Sequence, residues 1–230
     1  MNPKQIFESV RKKKRRNLTE LESREILEYY KLPLVKGQLI KSIEESKKFI
    51  DEVGYPVVLK VVSPEIIHKT EVGGVIINIQ NEKQLYDAYN DILKNVKTKM
   101  PKARIDGLFV QEMIPSSFEV MVGGKYDNTF GQTIAFGLGG IYVEVYEDVS
   151  FRIVPITEKD ALNMIKETKA YKILGGYRGK KPADIRALID ILMKTSKMLD
   201  SNPEIKELDM NPIFALSDRA VAIDARIIIE

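Results

Sequence analysis

The residues with the clearest chemical potential lie in one stretch, which leads from a lysine inside an apolar run to a pair of glycines. Lys60 lies within Val57–Val62, a β-branched run that suits a central strand, where a buried ammonium group needs an anionic partner. A phosphate is such a partner, and a lysine holds it as a point charge. The following loop ends in Gly73 and Gly74, whose free backbone N–H groups could approach phosphate oxygens. A strand-end lysine whose ammonium group reaches water fits the same spacing, so both interpretations stay open.

The same loop carries His68, the single histidine of the chain. Imidazole is nucleophilic near neutral pH and can form a covalent intermediate or carry a proton. A lone histidine is more often a hydrogen-bonded residue without a chemical role, and the residue types alone favour that interpretation. Any site that needs two histidines cannot be completed within these residues.

Another group of chemically capable side chains lies near the carboxyl end. Asp209 and Asn211 precede Pro212, and Asp224 lies on the next predicted strand. If the two strands form a hairpin around an Asn-Pro turn, Asn211 and Asp224 meet at one end of it. One amide oxygen and one carboxylate, completed by water and nucleotide phosphates, form a ligand set that Mg²⁺ accepts. The alternative is a plain turn beside a solvated aspartate.

Two further segments could contact a bound molecule. In the first, the end of one predicted strand could offer backbone groups to a planar base, and the start of the next could offer a carboxylate to a ribose. Its candidate residues are Gln111, Glu112, Met113, Ile114 and Glu119. The alternative for this segment is an ordinary hairpin. The second segment is the glycine-rich stretch 137–140, which is either another approach to a ligand or a flexible turn.

Helical and strand patterns alternate along the chain and position these residues. Helices are predicted over 19–32, 42–54, 82–97, 157–168 and 182–200, and strands over 34–40, 57–62, 75–79, 105–114, 118–123, 131–136, 149–156, 204–210 and 220–228. Because most strand pairs lack an intervening helix, the pattern favours an α+β fold over a doubly wound sheet. We expect a basic arm and helix over 1–27, a first subdomain over 28–108, a second over 109–230, and a cleft between the subdomains.

The composition excludes several classes of protein. The 230 residues contain no cysteine, which excludes disulfides, thiolate catalysis and cysteine-zinc sites and fits a reducing compartment. Without an apolar stretch long enough for a bilayer or a secretory signal, we expect a cytoplasmic protein. The net charge of +3 is too balanced for a nucleic-acid binder. The basic run 11–16 is interpreted as a solvated arm.

Together these segments resemble an ATP-grasp domain, and most closely the β subunits of ADP-forming acetyl-CoA synthetases (acetate–CoA ligases). The resemblance rests on residues 54–75, 136–144, 179–184 and 207–212, and on Asp224 between Ile223 and Ala225. It covers nearly all of the chain after Leu18. The basic run 11–16 is not part of it.

The resemblance implies a fold of two α+β subdomains gripping ATP, and the reaction acyl-CoA + ADP + phosphate = acid + CoA + ATP through a phosphohistidine relay. It implies ATP or ADP and Mg²⁺ as cofactors. The implied roles are a phosphoryl carrier at His68 with Asp209 as its charge stabiliser, nucleotide contacts at Lys60, Gly73, Gly74, Gln111, Glu112, Met113, Ile114 and Glu119, and Mg²⁺ ligands at Asn211 and Asp224.

The resemblance also implies a partner, a CoA-binding α subunit that forms the acyl phosphate and carries the phosphoryl group on its own histidine. An α₂β₂ heterotetramer is expected, without membrane or nucleic acid. Three alternatives stay open. A stand-alone ATP-grasp ligase would not need His68. A non-catalytic nucleotide-sensing module is disfavoured by the complete set of candidate residues. An RNA-binding protein would use the basic run, with salt-dependent binding.

Overall fold

The computed structural model of the protein describes residues 1–66, 68–115, 117–140, 148–176, 179 and 181–230. Its helices are α1 (Pro3–Lys12), α2 (Glu20–Tyr29), α3 (Lys47–Val53), α4 (Glu82–Lys99), α5 (Glu158–Glu167), α6 (Ala170–Leu174) and α7 (Ile185–Ser201). Its strands are β1 (Gly37–Ile40), β2 (Val57–Val62), β3 (Val75–Ile79), β4 (Gly107–Glu112), β5 (Phe118–Asp127), β6 (Gly131–Leu138), β7 (Val149–Ile153), β8 (Ile205–Ala215), β9 (Ala220–Ala222) and β10 (Arg226–Ile229). Residues 67, 141–144 and 180, which belong to segments that carry the resemblance, lie outside the described residues.

The chain forms two compact units, unit 1 from Met1–Leu34 and Ser116–Glu230, and unit 2 from Val35–Pro115. The strand pairs within the sheets are antiparallel wherever the structure describes them. This confirms the predicted α+β class. None of the helices described combines the length and the apolar character that crossing a bilayer requires.

Unit 2 is a four-stranded sheet in the order β1-β4-β2-β3, with helices packed on one face. Alternate residues of β2 and β4, such as Leu59 and Val110, are buried in a core with Ile92 of α4. The start of α4 is capped by Asn81, whose side chain accepts a hydrogen bond from the N–H of Gln84. Successive side chains of a strand point to opposite faces of the sheet. Because Leu59 of β2 points into this core, the adjacent Lys60 points to the other face.

Unit 1 contains a six-stranded sheet in the order β10-β8-β5-β6-β7, with β9 paired to β8. Val122, Ile134 and Phe136 of this sheet are fully buried in the core of the unit, together with Ile191 and Leu192 of α7. One face of β5, β6 and β8 is thus committed to the core. The other face is available to the polar residues that alternate with the buried ones.

The N-terminal segment contains a helix that belongs to unit 1. Asn2 and Gln5 form a reciprocal capping box at the start of α1, and Phe7 is fully buried in the core. In the basic run, Arg15 donates two hydrogen bonds to the carboxylate of Glu22, at 2.9 and 2.6 Å. Apolar residues of the first 34 positions pack with the core of the unit, which explains why the boundaries differ from those expected at 27/28 and 108/109.

Candidate active site

Lys60 lies in the middle of the sheet of unit 2. It pairs with Val75 of β3 and with Phe109 of β4, and its side chain is only 5% exposed. A lysine this deeply buried does not fit the alternative in which the ammonium group simply reaches water. The interpretation that remains is the one in which the ammonium group of Lys60 pairs with an anion on this face of the sheet.

Gln111 shares a strand face with Phe109, the residue paired with Lys60. Its side chain is 1% exposed, and its Oε1 accepts no hydrogen bond from any of the described residues. A buried acceptor without a donor costs about 1–3 kcal/mol, so native structures seldom leave one without a reason. A donor on a bound molecule would satisfy this oxygen.

The end of β4 is held by hydrogen bonds within unit 2. The N–H of Lys36 donates to Oε1 of Glu112 at 2.9 Å, and the N–H of Glu112 donates to the carbonyl of Lys36 at 3.0 Å. The N–H of Met113 donates to the carbonyl of Pro56 at 3.3 Å, and Ile114 is buried. The ordinary hairpin is excluded, because β4 and β5 belong to different sheets.

The expectation that Gly73 and Gly74 present free N–H groups is wrong. The N–H of Gly73 donates to the carbonyl of Thr70 at 3.0 Å, and the N–H of Gly74 donates to the carbonyl of Lys69 at 2.8 Å. Glycine is required for steric reasons instead. Gly73 has a φ of +68°, and a Cβ on Gly74 would lie 2.6 Å from Cγ1 of Val61. The two glycines thus close the loop that carries the histidine.

His68 is accessible on that loop. Its side chain is 68% exposed, and Nδ1 lies 3.9 Å from Oε1 of Glu71. This exposure excludes a core histidine, and it fits both a surface histidine without a chemical role and a phosphoryl carrier. An exposed imidazole in this position is open to attack on a phosphoryl group.

The carboxyl-terminal residues come together through the strand register of unit 1. Asp209 on β8 pairs with Arg226 on β10, and Ile213 pairs with Ala222 on β9. Extended from these two pairs, the register sets Asp224 across from Asn211. This supports the hypothesis that the two side chains share a site, which stays a prediction.

The expected turn at Asn211 and Pro212 is wrong, however. β8 continues through both residues, and the chain turns at 216–219, where the N–H of Leu216 donates to the carbonyl of Arg219. The register of β5 against β8 shifts between Val120 and Val122, opposite the proline. A proline has no N–H to donate to a neighbouring strand. The shift in register accommodates it, because the regular hydrogen bonds between the two strands are interrupted there.

Asp209 is surrounded by charge. Burial raises the pKa of its carboxyl group, Arg226 opposes this shift, and the negative charges of Asp224 and Glu207 add to it. Arg226 also lies near Glu207, with Nη2 3.6 Å from Oε2. Carboxylates that lie near a buried carboxyl group form a place where a cation is electrostatically favoured.

The donor set at Asn211 and Asp224 fits Mg²⁺. Oδ1 of Asn211 accepts a hydrogen bond from the N–H of Gly140 at 2.9 Å, which leaves the second lone pair of this oxygen. Oδ1 of Asp224 accepts one from the N–H of Ala225 at 2.8 Å. In the described part of the chain no three His, Asp or Glu side chains gather as a metal cluster. Mg²⁺ commonly takes one or two protein carboxylates and completes its shell with water and phosphate.

Glu119 lines a cavity of about 700 Å³ in unit 1. The other residues of its wall are mostly apolar and include Phe118, Leu138 and Ile173, with Lys169 as a cation. Asp148 shapes this wall, because its carboxylate accepts hydrogen bonds from the N–H groups of Lys169 at 3.0 Å and Ala170 at 3.2 Å. Lys169 lies in no motif, so the sequence gives no signal that it lines a cavity.

The similarity of the chain to known proteins identifies the family to which it belongs. A model of the ATP-grasp domain matches residues 9–229. The chain belongs to the ATP-grasp family. It is 48% identical, over 226 residues, to a protein of Pyrococcus furiosus named acetate–CoA ligase [ADP-forming] I subunit beta, a match that covers 98% of this chain and 97% of that one. Its place in the family is therefore beside the β subunits of ADP-forming acetate–CoA ligases, as the resemblance implied.

Two solved structures share this ATP-grasp fold over almost their entire length. Both are of Ca. Korarchaeum cryptofilum dinucleotide forming acetyl-coenzyme A synthetase 1. One, in complex with coenzyme A, Ca-AMPCP and HgCl⁺, has a TM-score of 0.94 and 43% identity and covers 98% of this chain and 99% of that chain. The other, in complex with coenzyme A and acetyl-coenzyme A, has a phosphorylated phosphohistidine segment, with a TM-score of 0.90 and 41% identity over 99% of this chain and 100% of that one.

Proposed function

We propose that the chain is the nucleotide-binding β subunit of an ADP-forming acyl-CoA synthetase. The enzyme converts acyl-CoA, ADP and phosphate into the free acid, CoA and ATP. The observation that carries the proposal is the position of His68, which is exposed on the loop that leaves the strand of Lys60. A close structural relative carries a phosphorylated phosphohistidine segment.

The chemical step of this subunit is the transfer of a phosphoryl group from His68 to ADP. A terminal oxygen of the β-phosphate of ADP attacks phosphorus, the P–N bond to the imidazole breaks, and a P–O bond forms. The imidazole leaves with the electron pair of the broken bond and takes up a proton. In the reverse direction the imidazole attacks the γ-phosphate of ATP and ADP leaves.

In unit 2, Lys60 supplies positive charge for the phosphates, and the unsatisfied oxygen of Gln111 supports binding of a nucleotide with N–H donors. Glu112, Met113 and Ile114 form the strand end that meets the base. Gly73 and Gly74 shape the loop of His68 and do not offer N–H groups to phosphate.

In unit 1, Glu119 binds the ribose hydroxyls beside the mostly apolar cavity. Asn211 and Asp224 hold Mg²⁺, which when bound offsets the charge of the nucleotide phosphates. Asp209 stabilises the charge of the phosphohistidine. The register that sets Asp224 opposite Asn211 supports these roles.

The CoA and acyl chemistry takes place on a separate α subunit, with α₂β₂ as the proposed assembly. The naming of the Pyrococcus furiosus relative as a subunit beta supports a second polypeptide. We propose that the α subunit passes the phosphoryl group to His68 from its own histidine.

The proposal is tested by exposing the chain to Mg²⁺ and ATP labelled with ³²P at the γ-position. The label should become attached to the wild-type protein in a form that acid removes and alkali does not, as is typical of a phosphoramidate. It should be absent from His68→Ala, while a change of the neighbouring residue, Glu71→Gln, should keep it. Acid-stable label, or equal label in His68→Ala, would contradict the proposal.

A further inference from the structure

The glycine-rich segment 137–140 was left open by its sequence, but the structure gives its last residue two specific contacts. The N–H of Gly140 donates to Oδ1 of Asn211 at 2.9 Å. A Cβ on Gly140 would lie 2.5 Å from Oε2 of Glu119, so the carboxylate occupies the space that any side chain would need. Gly140 thus touches both the proposed metal ligand and the proposed ribose ligand of unit 1.

The hydrogen bond also determines how the amide of Asn211 is turned. A backbone N–H can only donate, so the atom that faces it must be the amide oxygen and not the NH₂ group. The oxygen that would coordinate Mg²⁺ is therefore the atom that Gly140 holds. A second lone pair on the same oxygen remains for the metal.

The neighbouring residue keeps this segment in place. The N–H of Gly139 donates to the backbone carbonyl of Glu119 at 2.9 Å, and a Cβ on Gly139 would lie 2.7 Å from the carbonyl oxygen of Val120. The segment therefore lies directly on β5, and a flexible turn would have neither close approach.

We infer that Gly140 is a positioning residue, which orients the amide oxygen of Asn211 toward Mg²⁺ and leaves the carboxylate of Glu119 its place. This inference rests on the proposed function, because it assigns Gly140 a part in binding the Mg²⁺-nucleotide. Its φ of +66° favours glycine, and a side chain at this position would push the carboxylate of Glu119 aside.

Another glycine of unit 1 offers a matched control. Gly131 has a φ of +75°, close to that of Gly140, but a Cβ there would meet no atom within 4 Å. Gly131→Ala therefore imposes the same kind of backbone strain as Gly140→Ala without touching Asn211 or Glu119. The difference between the two variants isolates the contacts of Gly140.

The first test needs no nucleotide. Amide hydrogen exchange measured by NMR should show the Gly140 N–H protected in the wild type, and Asn211→Ala should speed its exchange by about tenfold, as expected for the loss of one hydrogen bond. The Gly139 N–H, which donates to a backbone carbonyl, should keep its rate. Equal exchange of Gly140 in both proteins would overturn the inference.

The second test compares the Kd of ADP with and without Mg²⁺, measured by titration calorimetry. Mg²⁺ should strengthen ADP binding to the wild type and to Gly131→Ala, and Gly140→Ala should lose about 10–100-fold of this strengthening, as is usual when a residue that orients a metal ligand is changed. In an Asn211→Ala background, Gly140→Ala should cause no further loss, because the ligand that it orients is gone.

The outcomes separate the inference from the proposed function. If the wild type responds to Mg²⁺ and Gly140→Ala behaves like Gly131→Ala, or if its effect adds to that of Asn211→Ala, the inference alone is overturned. A wild-type chain whose ADP affinity does not respond to Mg²⁺ would overturn the metal role and the inference with it.

Discussion

At the scale of single residues, the charges around Asp209 explain why this part of unit 1 suits a cation. Burial raises the pKa of Asp209, Arg226 on the adjacent strand opposes this shift, and the charges of Asp224 and Glu207 add to it. Like charges that stand close together are unfavourable until a cation or a proton intervenes. A divalent ion bound at Asn211 and Asp224 would relieve this repulsion.

Asp224→Ala should weaken binding of Mg²⁺-ADP by about 10–100-fold and leave metal-free ADP binding unchanged. The reason is that Asp224 supplies a carboxylate oxygen to the metal and none to the nucleotide itself. Calorimetric titration with and without Mg²⁺ measures both affinities. The matched control is Asp218→Ala, an exposed aspartate in the turn between β8 and β9 that pairs only with Arg219 among the contacts described. Equal loss of both affinities in Asp224→Ala would argue against a metal role.

His68→Ala should reduce ATP synthesis by the complete enzyme at least about a thousandfold, because the residue that carries the phosphoryl group is gone. ADP affinity should stay as in the wild type, since the exposed imidazole is not needed to bind the nucleotide. The measurement is ATP formed from acetyl-CoA, ADP and phosphate, together with ADP titration of the variant. Normal turnover would remove the relay and favour a direct ligase.

At the scale of elements, the sequence predicted a helix reliably wherever the segment contained the residues that cap its start. The capping box of Thr19 and Glu22 forms as predicted, and α4 begins at Glu82, its predicted start. The predicted helix 42–54 instead begins as a short 3₁₀ turn before α3. Pro212 was interpreted as a turn, because the sequence does not show that an irregularity between β5 and β8 accommodates it.

The candidate site, like the helices and strands, was predictable from the sequence only in part. The facing positions of Asn211 and Asp224 were expected from two adjacent strands, although the turn lies elsewhere. The burial of Lys60 decides between two interpretations that its apolar neighbours left open. The N–H groups of Gly73 and Gly74 were wrongly expected to be free, since the carbonyls of Thr70 and Lys69 that accept their hydrogen bonds are chosen by the folded loop. Contacts of that kind depend on backbone angles that residue types alone do not specify.

The junction of α1 and α2 should show a pH dependence that depends on Glu22. Burial raises the pKa of this carboxyl group, but hydrogen bonds from Arg15 and Thr19 outweigh it and leave the pKa below the ordinary value of 4.5. A carboxylate with a lowered pKa stabilises the fold above its unfolded pKa, and this stabilisation is lost as the pH falls through the folded value.

Glu22→Gln should therefore lower the free energy of unfolding by about 1–3 kcal/mol at pH 7, and the difference from the wild type should shrink steadily below pH 4.5. Urea denaturation at several pH values measures it. The control is Glu8→Gln, at an exposed position of α1, which should match the wild type throughout. A deficit that is constant with pH would show that the ion pair with Arg15 is not its origin.

At the scale of the whole molecule, the chain runs through unit 1, forms unit 2 and then completes unit 1. The boundary expected between residues 108 and 109 lies close to the return at residues 115 and 116. The sequence did not show that the first 34 residues fold into one unit with the last 115. Contacts between segments far apart in the chain leave no local pattern in the sequence. The candidate residues are divided accordingly, with Lys60, His68 and Gln111 in unit 2 and the carboxyl-terminal set in unit 1.

The last prediction concerns the partner. These 230 residues contain one histidine, so a relay that uses two histidines needs the second from outside them. The sequence also shows no G-x-G-x-x-G after a strand, the pattern expected of a dinucleotide-binding fold. The isolated chain should therefore bind ADP but form no ATP from acetyl-CoA, ADP and phosphate.

Activity should appear when a CoA-binding α subunit is added, and the two chains should co-purify through a permanent interface that buries about 2,000 Å² or more. The measurement is ATP production by the chain alone, by the α subunit alone and by the mixture. A mixture of the α subunit with His68→Ala serves as the control, because it forms the complex and lacks the carrier. ATP production by this chain without a partner would refute the two-subunit assignment, and a mixture that assembles but stays inactive would refute the relay from one subunit to the other.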